Sequence, residues 1–462
     1  MSYIEDRNTW QHGNASVRQT VDAFLASISS SNNLNAFLHV DERGIRAAAT
    51  VSDERYSAGL SRPLEGLVVA VKDNISVAGQ PLTCASRMLE GFDPLYNATV
   101  IERLSDAGAL FIGKTNMDEF AMGSSNETSA FGIVRNSVDP DRVPGGSSGG
   151  SAVAVAGGMC HVSLGSDTGG SIRQPAAFTG SYGLKPTYGR VSRYGLVAFA
   201  SSLDQIGLFS RTINDMQAVF EVIAGHDPMD STSVQDASPL PTIDPASTRI
   251  AALPVSELKG CDEDIVGAYT RYLDALRATG AIVDEVALPH SDLWIPTYFI
   301  LATAEASSNL ARFDGVRYGL RVEAEDGDIT TASRSAGFGA EVQRRIMLGT
   351  FVLSAGYGEA YYTKAQQSRR LISEAYANVF ESYHAFALPT TPTTAFRHGE
   401  VNDPVSMWLS DYFTVSANIA GIPALSLPFG TDSKGLPIGM QLQGPMCSDE
   451  RIMGIAARLA SN

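Results

Sequence analysis

Between Pro144 and Gly170 the chain reads PGGSSGGSAVAVAGGMCHVSLGSDTGG, nine glycines in one stretch. Each glycine inside a regular helix or strand costs roughly 0.5–1 kcal/mol of chain entropy, so a segment this rich in it serves some backbone purpose. The stretch is too apolar for a flexible linker and too irregular for a fibre. Two uses remain: main chain that takes positive φ or passes close to a ligand, and tight turns that connect core elements.

The rest of the chain surrounds that stretch with ordinary elements. Apolar residues recur at three- and four-residue steps in Val17–Ser29, Thr99–Ala107, Ile213–Ile223, Asp262–Ala278, Glu359–Ser382 and Glu450–Leu459, the period of an amphipathic helix. Short apolar runs bounded by Gly, Pro or Asp read as strands: Leu67–Val71, Ala109–Ile112, Val162–Leu164, Ile250–Leu253, Ala281–Val286, Ala385–Leu388, Ala424–Leu427 and Met440–Leu442. The mixture predicts an α/β fold, a central mixed sheet flanked by helices. With 462 residues, 44% hydrophobic and no Pro-, Ser- or charge-rich linker, the expectation is one large domain over 1–462.

Charge narrows the partners. A net charge of −16 sets the chain against a phosphate backbone, and no Lys/Arg-rich stretch offers a local exception. Cys84, Cys160, Cys261 and Cys447 lie far apart without metal-ligand spacing, and are expected as reduced core residues. No signal-peptide core opens the chain and no run of about 20 apolar residues interrupts it, which predicts a cytoplasmic protein that does not span a membrane.

Two familiar motifs occur in unsuitable settings. Gly108–Thr115, GALFIGKT, satisfies the phosphate-loop pattern, yet a helix ends at Ala107–Gly108 and a strand follows, the reverse of the strand, loop and helix a phosphate cradle needs. Gly145–Gly149 and Gly146–Gly150 match G-x-S-x-G around Ser147 and Ser148, but the polar loop Asn136–Pro144 precedes them where a hydrolase elbow needs a strand. Such an elbow would also call on a histidine, and none of His161, His226, His290, His384 and His398 sits in a recognisable setting.

A serine hydrolase without histidine needs another base. Lys72 ends the apolar strand Leu67–Val71, so its amine emerges at the mouth of a hydrophobic wall. Bringing a lysine from about 10.4 to near 7 takes about 4–5 kcal/mol, within reach of burial. Alone, Lys72 also reads as a salt-bridged strand-end charge. Ser171 follows Gly169-Gly170 and opens SIRQPAA, which reads as a helical turn. The N–H groups of Thr168, Gly169, Gly170 and Ser171 would there face a developing oxyanion, although a plain N-cap serine has the same pattern.

Together, Ala70–Asn74 (AVKDN), Pro144–Ser151 (PGGSSGGS) and Gly165–Ala176 (GSDTGGSIRQPA) resemble the amidase signature family in order and type. The resemblance implies that fold, with a core signature region at about 65–200. It implies a triad with Ser171 as nucleophile, Ser147 as a bridging serine in a cis peptide, and Lys72 as base. Ser148, next to Ser147, carries the same hydroxyl.

Beyond the triad, Asn116–Ser124 (NMDEFAMGS), Ala304–Gly319, Gly337–Thr350 and Pro389–Phe396 (PTTPTTAF) are similar to the A subunits of the glutamyl/aspartyl-tRNA amidotransferases. That similarity implies glutamine as substrate, held by Tyr298, Arg345 and Asp411; Arg344 adjoins Arg345 and offers the same group. A guanidinium forks onto an α-carboxylate and a carboxylate takes an α-ammonium, the two charges of free glutamine. The resemblance further implies two partners, the B and C subunits of a heterotrimer. The first of them would use ATP and Mg²⁺ to activate a mischarged Glu-tRNA or Asp-tRNA, with no cofactor or metal in this chain. A stand-alone amidase with the same triad is the alternative, followed by a non-catalytic scaffold subunit and an α/β-hydrolase esterase.

Overall fold

In a computed structural model, which describes residues 2–235, 240, 243–324 and 327–460, one eleven-stranded sheet runs through the molecule. In chain order the strands are β1 (Phe37–Val40), β2 (Val68–Lys72), β3 (Leu110–Thr115), β4 (Val162–Asp167), β5 (Tyr182–Lys185) and β6 (Gln205–Ser210), then β7 (Arg249–Ala252), β8 (Ile282–Glu285), β9 (Ala385–Pro389), β10 (Ala424–Thr431) and β11 (Pro437–Gln443). Their spatial order is β1-β3-β2-β4-β6-β5-β10-β11-β9-β7-β8. The β3-β2-β4 and β9-β7-β8 groups are parallel, and the pairings between them are antiparallel. This is the mixed α/β sheet the periodicities predict.

All eight expected strands form, and three more join them. β6, QIGLFS, is buried along its whole length between β4 and β5, so it has no alternation to betray it. β1 and β5 span four residues each, too short for a periodic signal. The expected helix Glu359–Ser382 divides into a π-helical turn, Glu359–Thr363, and an α-helix, Lys364–Phe380. Inside the glycine stretch lies a helix the sequence did not advertise, Gly149–Ala156. Its residues 149–155 are all buried, so it lacks the polar face that marks a helix in sequence.

Close approach, more than positive φ, explains the glycines. A Cβ on Gly150 would stand 2.4 Å from the carbonyl oxygen of Asn116, and one on Gly146 would stand 2.0 Å from a carboxylate oxygen of Asp118. Both backbones pass where a side chain has no room. The four cysteines are free thiols; Cys84 and Cys160 are buried, whereas Cys261 and Cys447, expected in the core, are only half-buried. Among the described residues no helix is long and apolar enough to cross a membrane.

β2 and β4 lie side by side and parallel as the third and fourth strands of this sheet, so their carboxyl ends open at the same place. That is where loops from an α/β sheet converge on a ligand. β2 ends at Lys72 and β4 at Asp167, and the chain after β4 is the Gly169-Gly170-Ser171 turn.

Candidate active site

Lys72 is fully buried at the end of a strand whose five residues are all inaccessible to solvent. Its Nζ lies 2.8 Å from Ser147 Oγ, 2.7 Å from Ser148 Oγ and 2.9 Å from Ser166 Oγ. Burial brings this amine down to about 7, against the opposing pull of Asp118, Asp167 and Asp204. No carboxylate forms an ion pair with it among the described residues, unlike Lys114 on the adjacent strand, which lies 3.3 Å from Asp73. Lys72 is therefore an amine that loses its proton near neutrality.

The hydroxyls around Nζ differ in what else they bind. Ser148 Oγ donates to the carbonyl of Ser166 at 3.0 Å, and Ser166 Oγ accepts from Asn74 Nδ2 at 2.9 Å. Ser147 Oγ has only Lys72 as a partner among the described residues. The peptide bond between Gly146 and Ser147 is cis. Gln174 secures the loop, its Oε1 accepting the Gly146 N–H at 2.9 Å.

The turn after β4 hangs on Asp167. Its carboxylate accepts from the amides of Gly170 and Ile172 and pairs with fully buried Arg173 at 2.9 Å, and this guanidinium holds its pKa down at about 2 despite burial. Arg173 continues to the Thr414 carbonyl and the Asn418 side chain, joining the turn to the helix Val415–Ala420. Two expectations change here. The helix begins at Arg173, with Ile172 at its cap, so Ser171 precedes it and caps nothing. Gly170 is withdrawn from the oxyanion set, because Asp167 already takes its N–H; the amides of Gly169 and Ser171 have no acceptor among the described residues. Ser171 Oγ likewise has no partner there, and no hydrogen bond joins it to Ser147 Oγ. The neighbouring contact is through the main chain, from the Ser148 N–H to the Ser171 carbonyl at 3.2 Å.

Two further side chains border this turn, and the charge of a third, Arg345, acts on both. Tyr298, on the helix Trp294–Asn309, lies so near Gly169 that a Cβ there would stand 2.6 Å from the phenol oxygen. Burial pushes that phenol well above its usual range. Asp411 lies beside Gly170: its Oδ1 would be 3.3 Å from a Cβ at that position. Ser124 donates to Asp411 Oδ2 at 2.6 Å, while Oδ1 is buried with no hydrogen-bond partner among the described residues. Desolvation raises this carboxyl to about 7, opposed by the Ser124 hydroxyl and the charge of Arg345. Arg345 is buried on the helix Ala340–Leu353, its Nε 2.8 Å from Glu341 and its guanidinium over the rings of Phe199 and Phe299. Arg344 faces the other way, its side chain 46% exposed and paired to the same Glu341. The inward arginine is thus 345.

This combination, a buried lysine against paired serines at the edge of a glycine-built turn, coincides with a sequence match over most of the chain: the profile of the family described as Amidase matches residues 19–453. The chain belongs to the amidase family. The A subunit of glutamyl-tRNA(Gln) amidotransferase from Salinibacter ruber is 48% identical to it, covering 99% of both chains, and that from Synechococcus sp. is 50% identical over 96% of this chain and 94% of its own. A crystal structure of the Thermotoga maritima protein of the same name superposes with a TM-score of 0.80 at 41% identity, covering 96% of this chain and 92% of that one.

In this amidase-family chain the competing motifs have structural explanations. Gly108 caps the helix Thr99–Ala107 at φ 102°, and Lys114 is buried, donating to the carbonyls of Ile75 and Pro81, so GALFIGKT frames no phosphate cradle. His161 is a core residue: its Nδ1 accepts the Val68 N–H at 3.0 Å and its ring packs among Tyr3, Trp10 and Phe24. No histidine bonds to Ser147, Ser148 or Ser171 among the described residues. Sequence reasoning missed Asp167, Arg173, Gln174, Asn418 and Ser124. The signal for Asp167 and Arg173 was present: opposite charges six residues apart in a segment otherwise too apolar and glycine-rich for the surface.

Proposed function

We propose that this chain is the glutamine-hydrolysing subunit of a tRNA-dependent amidotransferase, one amidase-type unit over 1–462 with its signature region at about 65–200. The observation that carries the reading is the buried Lys72 amine, which loses its proton at about pH 7, in contact with Ser147 Oγ at 2.8 Å. A neutral amine has two N–H groups and one lone pair. Ser148 spends its proton on the Ser166 carbonyl and so accepts one N–H of Lys72, and Ser166 Oγ accepts the other. The lone pair then faces the Ser147 O–H.

From that arrangement, Lys72 takes the Ser147 proton as Ser147 takes that of Ser171, and Ser171 Oγ attacks the side-chain amide carbon of glutamine. The amides of Gly169 and Ser171, with that of Thr168 beside them, receive the oxyanion. The proton returns through Ser147 to the nitrogen, ammonia leaves, and water cleaves the glutamyl ester by the same relay run again. Arg345 receives the α-carboxylate, Asp411 Oδ1 the α-ammonium, and Tyr298 lines the side-chain path.

Ammonia passes to the B subunit, and the small C subunit completes the assembly in the cytoplasm. The ammonia-accepting partner uses ATP and Mg²⁺ to activate Glu-tRNA(Gln), with Asp-tRNA(Asn) as a further acceptor, and also carries the tRNA. That division fits a chain with a net charge of −16. The test is purification from native extract: two further subunits in equal amounts, with glutaminase activity that rises on adding mischarged tRNA and ATP, support the reading. A lone chain that turns over alkyl or aryl amides much faster than glutamine refutes it in favour of a stand-alone amidase.

A further inference from the structure

One carboxylate oxygen stands beside the Gly170 turn, Asp411 Oδ1, buried and without a hydrogen-bond partner among the described residues. Its twin, Oδ2, is fixed at 2.6 Å by the Ser124 hydroxyl. Ser124 is itself fixed, its carbonyl accepting Gln174 Nε2 at 2.8 Å while Gln174 Oε1 accepts the Gly146 N–H at 2.9 Å. A continuous path of hydrogen bonds therefore runs from Asp411 through Ser124 and Gln174 to Gly146, the residue before Ser147. Ser124 and Asp411 come from positions 287 residues apart, and both are buried.

We propose that Ser124 is a specificity-determining positioning residue: it holds Asp411 with one oxygen free for a substrate ammonium and ties that group to the loop carrying Ser147. The inference rests on the reading of Asp411 as the ammonium site and deepens it. A carboxylate free to rotate would find other donors and lose the orientation that distinguishes a zwitterion from a plain amide. Ser124 removes that freedom, and its own backbone is held by the side chain that holds Gly146. An amide that carries an α-ammonium is thereby bound in register with the proton relay.

The electrostatics agree. The charges acting on Asp411 are those of Arg345, Asp167 and Arg173, with the Tyr298 phenol buried on the same side. The Ser124 hydroxyl bonds the carboxylate and lowers its pKa. Without it Asp411 stays protonated to higher pH, and a protonated carboxyl attracts an ammonium poorly.

The experiment compares glutamine with glutaramate, which lacks only the α-ammonium, in the full chain purified with the subunits that accompany it. Variants are Ser124→Ala, Ser124→Thr and Asp411→Asn. Ser124→Ala is expected to raise the KM for glutamine roughly tenfold, the scale of a hydrogen bond to a charged group, while leaving glutaramate within about twofold. The acid limb of kcat/KM should move to higher pH for glutamine and stay in place for glutaramate. Ser124→Thr, which restores the hydroxyl, should recover the wild-type preference. Equal losses on both substrates in Ser124→Ala, or an unmoved acid limb, overturn the proposal in favour of a packing role. If Asp411→Asn also leaves the glutamine preference intact, the reading of Asp411 itself fails, a different outcome from failure of Ser124 alone.

Discussion

Replacing Lys72 by methionine should stabilise the protein while abolishing its activity, and the structure gives the size of both effects. Burial takes the amine from 10.5 in the unfolded chain to about 7 in the fold, so folding at pH 7 carries a penalty of about 5 kcal/mol. Methionine has nearly the same length and no proton to lose. It forfeits the contacts to Ser147, Ser148 and Ser166, about 1 kcal/mol each, which leaves a net gain of about 2 kcal/mol. With about 2 cal/mol/K of unfolding entropy per residue over 462 residues, that raises Tm by about 2 °C.

The sign of the pH dependence is specific. Between pH 7 and 10.5 the unfolded chain holds the Lys72 proton and the folded one does not, so wild-type stability rises with pH across that window. Below pH 7 both states hold it and the penalty is full and constant. The advantage of Lys72→Met should therefore be flat below pH 7 and shrink steadily above it. Calorimetry of both proteins from pH 6 to 9.5, with glutaminase assays alongside, reads these quantities. A pH-independent gap, or activity reduced less than roughly a hundredfold in Lys72→Met, would refute the neutral-base account.

Further predictions follow from the same contacts. Asp167→Asn leaves Arg173 buried without its carboxylate and should cost about 3–5 kcal/mol in thermal unfolding. In the wild type the contribution of Asp167, held near 2 against 3.8 unfolded, is full above pH 4 and is lost as pH falls toward 2, which acid titration of tryptophan fluorescence will show. Arg345→Lys should raise the KM for glutamine at least tenfold, whereas Arg344→Lys, at an exposed position, should change it by less than about twofold in steady-state assays. His161→Ala should lower Tm by removing the acceptor for the Val68 N–H yet keep kcat near the wild-type value at low temperature, the reverse of a catalytic histidine.

What the sequence revealed and what it hid divide along a physical line. Strand β2 was legible because five apolar residues ended in a charge, and the same pattern made Lys72 a candidate base. β6 and the helix Gly149–Ala156 were hidden by complete burial, which removes the polar alternation that sequence reading depends on. At the site, the residue types of the glycine turn were plain, but its supports were not. Asp167 meets Asn418 and Gln174 meets Ser124 across long stretches of chain, and such contacts leave no local trace. The withdrawal of the Gly170 amide has a different origin: Asp167 lies only three residues before it, and the local turn brings its Oδ1 within 2.9 Å of that N–H.

The central claim is that Ser171 Oγ carries the acyl group, and the most direct measurement is mass analysis of the rapidly quenched enzyme under turnover with glutamine. The expected result is a glutamyl ester on the peptide containing Ser171, released by hydroxylamine and missing from Ser171→Ala. An acyl group on another residue, or unimpaired glutaminase activity in Ser171→Ala, would contradict it.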